Sequence, residues 1–140
     1  MLRCASGPFE VKLTPQSTDA PAAPLEGATL GRTALDKRYR GDLEAQSRGE
    51  MLSALTAVKD SAGYVAVERV HGALHGREGS FALLHTGVMA RGEQRLTIAV
   101  VPDSGTGALR GLTGAMKISI APDGAHAYEM EYELPDGKEA

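Results

Sequence analysis

The chain has 140 residues, a formal net charge of −3 and 42% hydrophobic residues, which is typical of one globular domain with its own core. Its 15 Lys and Arg residues are scattered and it has no Trp, so the basic, aromatic surface of a nucleic-acid binder is not expected. No apolar run approaches the ~18 residues of a membrane span, and the single Cys4 excludes an internal disulfide. Since the first residues lack the apolar run of a signal peptide, we expect a cytoplasmic protein with a single domain over residues 1–140 and no nucleic-acid or membrane partner.

Apolar and polar residues alternate along most of the chain, which is the pattern of half-buried strands. The alternation begins at Phe9–Leu13, and the Pro- and Ala-rich segment Pro15–Pro24 predicts an irregular loop. Seven further strands are predicted at Ala28–Arg40, Leu43–Leu55, Tyr64–His75, Ser80–Arg91, Gln94–Val101, Ala115–Ala121 and Ala125–Leu134. Short helical turns are expected only within Leu25–Leu30 and Ser104–Gly111.

Eight strands with mostly short connections favour an antiparallel meander. Closing such a sheet removes its edges and leaves an interior that holds side chains and one small ligand. The predicted fold is therefore all-β, a small closed antiparallel barrel of about eight strands. A two-sheet sandwich would show the same alternation and is the alternative.

The last hairpin shows which face lies inside. Pro122-Asp123-Gly124 matches a type I turn followed by a glycine bulge, which sets Ala121 opposite Ala125. The reverse face carries charged residues, so the apolar face points inward. The pairing places Ile120 by His126, Ile118 by Tyr128 and Met116 by Met130.

The stretch GYVAVERVHGALHGREGSFALLHTG, residues 63–87, contains one acid and one base on apolar strands. If Arg77-Glu78 forms a two-residue turn, Glu68 and His85 share the inner face as diagonal neighbours, roughly 7–8 Å apart at the backbone. A four-residue loop, Ala90–Glu93, then extends this face to the next strand. Its inward residues there are Leu96, Ile98 and Val100.

An interior Glu–His pair can move protons near neutral pH, so Glu68 and His85 are the predicted catalytic residues. The alternative is a structural hydrogen bond between them. No cofactor is expected, and no metal, because His71 and His75, on one strand face, have no third ligand. The predicted ligand-binding residues, for which the alternative is core packing, are Tyr64, Met51, Met89, Met116, His126, Tyr128, Met130 and Tyr132.

Several sequence blocks resemble a bacterial family known as domain of unknown function 3224. They are GPFEVKLTPQ, GDLEAQSRGEML, SAGYVAVERVHGALHGREGSFALLHTG, VVPDSGTGALRGLTG and HAYEMEYELP. The family is similar to the allene oxide cyclase barrel-like superfamily, which implies a small closed antiparallel barrel that forms a homodimer. No catalytic residues are established for the family. Relatives in the wider superfamily include cyclases and isomerases that fold a hydrophobic substrate inside the barrel without a metal or cofactor.

Three functional hypotheses follow. The first is a barrel that binds a small, largely apolar organic molecule in its lumen and catalyses a cofactor-independent isomerisation or cyclisation. The second is a non-catalytic carrier or sensor that uses the same lumen. The third is a structural homodimer whose lumen is filled by its own side chains. Whether the protein is an enzyme stays open at this point.

Overall fold

The computed structural model describes residues 2–20 and 27–135, which form eight strands in one closed antiparallel barrel. The strands are β1 (Arg3–Asp19), β2 (Thr29–Tyr39), β3 (Leu43–Leu55), β4 (Ala62–Leu74), β5 (Arg77–Ala90), β6 (Glu93–Val100), β7 (Thr113–Ile120) and β8 (His126–Glu133). Each strand pairs with the next, and β1 pairs with β8. The predicted barrel is confirmed, and the open sandwich is excluded. Within the described ranges, no helix has the length and apolar character to cross a membrane.

Two of the predicted hairpins are confirmed residue by residue. The β7–β8 turn has the backbone bonds Gly124 N to Ala121 O and Ala121 N to Ala125 O, and Gly124 has a φ of +91°, as the glycine bulge requires. Between β5 and β6 the register is the predicted one, with Ala90 opposite Glu93. The chain turns there in two residues, so Ala90 and Glu93 themselves belong to the strands.

The turn between β4 and β5 lies two residues earlier than predicted. His75 and Gly76 form it, with φ values of +48° and +80°, as in a type I′ turn, so Leu74 pairs with Arg77. The prediction of Arg77-Glu78 was wrong because nothing in the sequence marked the histidine as a residue with positive φ. Every β5 partner shifts by four residues, an even number, so the inward faces of both strands stay as predicted.

The prediction of an irregular loop at Pro15–Pro24 was also wrong over its first half, because β1 continues to Asp19. Pro15 pairs with Thr33 and Ser17 with Arg32, which leaves Gln16 as an extra residue in a bulge. Proline is tolerated beside a bulge because its missing N–H removes no ladder bond there. Residues 21–26 lie outside the described ranges. Of the predicted turn at Leu25–Leu30, the last two residues belong instead to β2, whereas the turn within Ser104–Gly111 is confirmed as a 3-10 helix at Gly107–Leu109.

The two ends of the barrel differ. At one end, which we call the closed end, the β6–β7 connection folds across the opening and buries Leu109 and Leu112 completely. The Thr106 N–H donates to the carbonyl of Ser80 and ties this connection to β5. At the other end, the open end, β3, β5 and β7 finish and β2, β4, β6 and β8 begin. The core therefore fills the closed end and leaves space at the open end.

We expect Gly76→Ala to lower the free energy of unfolding by about 1 kcal/mol, because an L-residue is strained at positive φ. No atom lies within 4 Å of the added Cβ, so the loss would come from the backbone alone. Urea unfolding measures it. The matched control is Gly63→Ala, where the new methyl meets its first neighbour at 3.8 Å and φ is ordinary. Equal midpoints for the two variants would contradict the turn assignment.

Candidate functional site

A single carboxylate, that of Glu68, lies at the centre of a buried polar cluster. Its Oε1 accepts hydrogen bonds from the hydroxyls of Tyr39 and Ser47, both at 2.6 Å. Its Oε2 accepts from Lys37 Nζ at 2.8 Å and contacts His85 Nε2 at 2.6 Å. Because an ionised carboxylate only accepts hydrogen bonds, the Nε2 of His85 carries the hydrogen. We call these five residues the Glu68 cluster.

Four adjacent strands supply the Glu68 cluster. Lys37 on β2 lies directly opposite Ser47 on β3. Glu68 on β4 is one diagonal step from Ser47, and His85 on β5 is one diagonal step from Glu68. Side chains at diagonal positions on one face of a sheet are within reach of each other. The predicted contact between Glu68 and His85 on the inner face is therefore confirmed, although through a different diagonal.

Burial of the cluster makes these bonds necessary. The side chains of Glu68, His85 and Lys37 are 0%, 4% and 6% exposed. Burying an ion costs several kcal/mol unless partners replace its water. Here the four donors satisfy both carboxylate oxygens, and the ammonium of Lys37 also lies 5.4 Å from the ring centroid of Phe9, within cation–π range. No buried side-chain nitrogen or oxygen of the described residues lacks a hydrogen-bond partner.

The same contacts set the ionisation of Glu68. Burial by itself raises the pKa of this carboxyl group, but the bond from His85 and the charge of Lys37 outweigh it and lower the pKa to about 2. Burial raises the pKa of Tyr39, and the negative charge of Glu68 raises it further. The Tyr39 hydroxyl therefore stays protonated and donates its hydrogen bond. Glu68 is thus an anion with every lone pair engaged, which opposes the proton-accepting role that the sequence suggested for it.

A separate cavity of about 720 Å³ lies at the open end. Three of the predicted ligand-binding residues line it, namely Met51, Tyr64 and Met89. Its further walls come from the ends of β2 to β7 and include Thr33, Ser53, Leu55, Leu96, Ile118 and Ile120. Glu68 and His85 are not among the described residues that line it.

The other five predicted ligand-binding residues lie elsewhere. Met116, Met130 and Tyr132 are buried members of the core. The Tyr128 hydroxyl accepts from Leu43 N and donates to the Arg40 carbonyl, which ties β8 to the β2–β3 turn. The ring of His126 packs against that of Phe9, with centroids 5.2 Å apart and planes tilted by 56°. These five side chains thus pack in the core or against it.

Tyr64 separates the cavity from the Glu68 cluster. It lies four residues before Glu68 on the inner face of β4, with the inward Ala66 between them, and is opposite Gly87. Its ring lies flat over that glycine, since a Cβ at position 87 would come within 2.2 Å of the ring. Burial, assisted by the Glu68 charge, raises the pKa of Tyr64. Its hydroxyl therefore stays protonated and is able to donate a hydrogen bond.

The sequence predicted that His71 and His75 lie on one strand face, and this prediction was wrong. His71 is exposed on β4, whereas His75 lies in the following turn and contacts the Tyr132 hydroxyl. Its Nε2 lies 3.7 Å from Asp42. Among the described residues, no three His, Cys, Asp or Glu side chains group as metal ligands.

Three members of the Glu68 cluster were not predicted from the sequence as site residues. Lys37, Tyr39 and Ser47 were read as ordinary strand residues. The signal was present on β2, where Leu35, Lys37 and Tyr39 occupy successive inward positions. A lysine between two inward apolar residues indicates a buried cation, which requires a buried anion as its partner.

Fold and site together define a closed eight-strand barrel with a fully bonded buried carboxylate and a cavity at one end. Residues 5–132 match the family described as "Protein of unknown function (DUF3224)", and the chain belongs to that family. It is similar to a crystal structure of a protein with unknown function from the DUF3224 family from Shewanella oneidensis MR-1, with 52% identity and a TM-score of 0.87 over 96% of this chain and 99% of the other. The comparison with curated proteins gave no match.

We expect Glu68→Gln to destabilise the protein by about 3–5 kcal/mol at neutral pH, because it leaves Lys37 buried without its anion. The substitution should also make the free energy of unfolding depend less on pH in the acid range. In the wild type the low pKa of Glu68 contributes stability that is complete above the ordinary value of 4.5 and is lost as pH falls towards about 2, on the order of 3 kcal/mol.

Urea unfolding at a series of pH values from 6 down to about 2 tests this expectation, since the slope reports the protons taken up on unfolding. Glu129→Gln is the matched control, because Glu129 is exposed on β8 and should leave the slope unchanged. Equal pH slopes for Glu68→Gln and the wild type would show that the pKa of Glu68 is not lowered.

Proposed function

We propose that this barrel binds a small, largely apolar organic molecule in its open-end cavity. The observation that carries the proposal is the exposure of Leu96 and Ile120. Both point inward, in line with the buried Ile98 and Met116, yet they are 40% and 64% exposed. Inward-facing apolar side chains left uncovered favour an apolar occupant. The volume of about 720 Å³ lies within the roughly 300–1,000 Å³ of small-molecule sites.

The wall chemistry supports the same class of ligand. Met51 and Met89 are flexible, polarisable side chains that adapt to the shape of an occupant. Hydroxyl groups of Thr33, Ser53 and Tyr64 provide a few polar contacts. Such a site takes a molecule with an apolar body and one or two hydrogen-bond acceptors.

Binding, as in a carrier or sensor, is favoured over turnover. Neither member of the predicted catalytic pair lines this cavity, and the Glu68 carboxylate is already bound by four donors. A general base has to reach the proton that it removes and have a pKa near the working pH. Isomerisation or cyclisation, and membership of the allene oxide cyclase barrel-like superfamily, therefore stay predictions from the resemblance alone.

We expect the neutral, polarity-sensitive dye Prodan to bind the wild type with a blue-shifted emission, and Ala62→Phe to weaken binding about tenfold. The added ring takes up cavity space and removes roughly 60 Å² of apolar contact, which is worth about 1.5 kcal/mol. Ala90→Phe is the control, since Ala90 is exposed on the outer face of the same end. Equal affinities for both variants, or no binding to the wild type, would contradict the proposal.

We also propose that two copies associate through the outer face of β3, β4 and β5. This outer face carries five exposed large apolar side chains, Leu52, Val65, Val67, Leu84 and Val88. They are contiguous, because Leu52 lies opposite Val65 and Val67 opposite Leu84. An apolar patch of this kind on a sheet favours a protein interface over solvent.

The charges beside this patch suit a second copy of the chain. Arg48 and Arg69 lie opposite each other on β3 and β4, and Glu50, which is ion-paired with Arg32 of its own chain at 2.9 Å, is next to them on β3. Two copies related by a twofold axis can set the arginines of one against the glutamate of the other, since an isologous interface pairs a patch with itself. The occupant is therefore another barrel with the same face.

We expect Val67→Asp to convert the dimer to monomer, because each copy would bury an unpaired carboxylate in the interface. Size-exclusion chromatography with light scattering measures the mass directly. Leu2→Asp, at an exposed leucine just before β1, should leave the dimer intact. A monomeric wild type would show that this face is not a self-association surface.

A cytoplasmic location remains part of the proposal. Cys4 is free and exposed. An exposed thiol is maintained most readily in a reducing compartment.

A further inference from the structure

The barrel wall is interrupted beside the cavity. Among residues 2–20 and 27–135, β6 and β7 pair only at Ile98–Met116 and Ala99–Ala115. In contrast, β6 pairs with β5 from Ala90–Glu93 onward, and β7 pairs with β8 along its whole length. Each strand thus has one bonded edge, and its other edge is unpaired towards the open end.

The unpaired edges border the open-end cavity. Residues 94–96 of β6 and 118–120 of β7 all line it. The uncovered apolar side chains belong to the same two segments, Leu96 on β6 and Ile120 on β7. The unpaired backbone groups and the uncovered apolar side chains therefore lie at one place. We call it the β6–β7 cleft.

From this juxtaposition we infer that the β6–β7 cleft binds a short apolar peptide in extended conformation, which adds as a strand to an open edge and directs alternate side chains into the cavity. Backbone N–H and C=O groups of a strand edge recognise another extended backbone, and pockets on one face select its alternate residues. An aliphatic molecule without amides would cover Leu96 and Ile120 but could not pair with the backbone groups of the strand edge. The inference rests on the proposed function and extends its ligand class from a small molecule to a peptide whose apolar side chains enter the same cavity.

Charge disfavours a second copy of this chain as the added strand. Arg95 on β6 and Lys117 on β7 lie beside the cleft. Pairing an edge with the same edge of another copy brings like charges together, which is a common protection of sheet edges. A neutral peptide meets no such repulsion.

The test uses the full chain and an acetylated, amidated hexapeptide of alternating valine and serine. Its valines fit the cavity side and its serines the solvent side. The matched control is the same peptide N-methylated at every residue and closed by a C-terminal dimethylamide, which keeps the side chains but has no N–H donor. Amide hydrogen exchange followed by NMR reports residues 94–96 and 118–120.

At a peptide concentration about ten times its Kd, we expect exchange of the cleft amides to slow about tenfold, because only the free protein exchanges. The N-methylated peptide should leave their exchange unchanged. Equal protection by the two peptides would overturn the strand-addition inference, and so would no protection by either. Protection that increases with protein concentration without peptide would assign the edges to a second copy instead.

Binding of Prodan distinguishes a failure of the peptide inference from a failure of the proposed function. If Prodan binds and the unmodified peptide does not, the cavity takes apolar molecules and only the peptide inference fails. If neither binds, the proposed function fails as well. Ala62→Phe serves as a second variant, since it narrows the cavity and leaves the backbone edges of β6 and β7 in place. It should weaken peptide binding about tenfold, as one lost valine contact predicts.

Discussion

The cost of burying the Glu68 carboxylate is the constraint on which the rest of the barrel depends. An anion inside the barrel is tolerated only because Lys37, Tyr39, Ser47 and His85 donate to it from three other strands. A slip of any of those strands by one residue would turn its donor outward and leave the carboxylate unpaired. The Glu68 cluster therefore selects one register for β2 to β5, in addition to being stabilised by that register.

The part of the barrel beyond this cluster is built differently. Apolar packing joins β6, β7, β8 and β1, and the ladder between β6 and β7 is only two residue pairs long. Among the described residues, the buried charged side chains all belong to the Glu68 cluster, so no buried ion requires a continuous wall there. The molecule thus combines four strands whose register is fixed by buried polar contacts with a part that opens beside a cavity. Under the proposed function, the Glu68 cluster would hold rigid the strands that carry the binding cavity.

The sequence predicted the features that follow from local chemistry. The β7–β8 turn was found because Pro122-Asp123-Gly124 allows few conformations, and its register gave the inward face directly. The β4–β5 turn was misplaced, since His75 adopts a positive φ that a non-glycine residue rarely has. The inward placement of Glu68 and His85 nevertheless survived, because hairpin errors by an even number of residues preserve the face. Lys37 was missed because a lysine on a strand is exposed in most proteins.

Sequence by itself determined the all-β class, the eight strands, the inward faces and the family, because alternation with a period of two and the turn residues are local properties. Only the tertiary structure decided which residues surround Glu68, how low its pKa lies, and that the predicted ligand-binding residues divide between the core and the open-end cavity. Those properties depend on contacts between strands far apart in the chain and on the exclusion of water. Closure of the barrel creates both, and no local pattern records them.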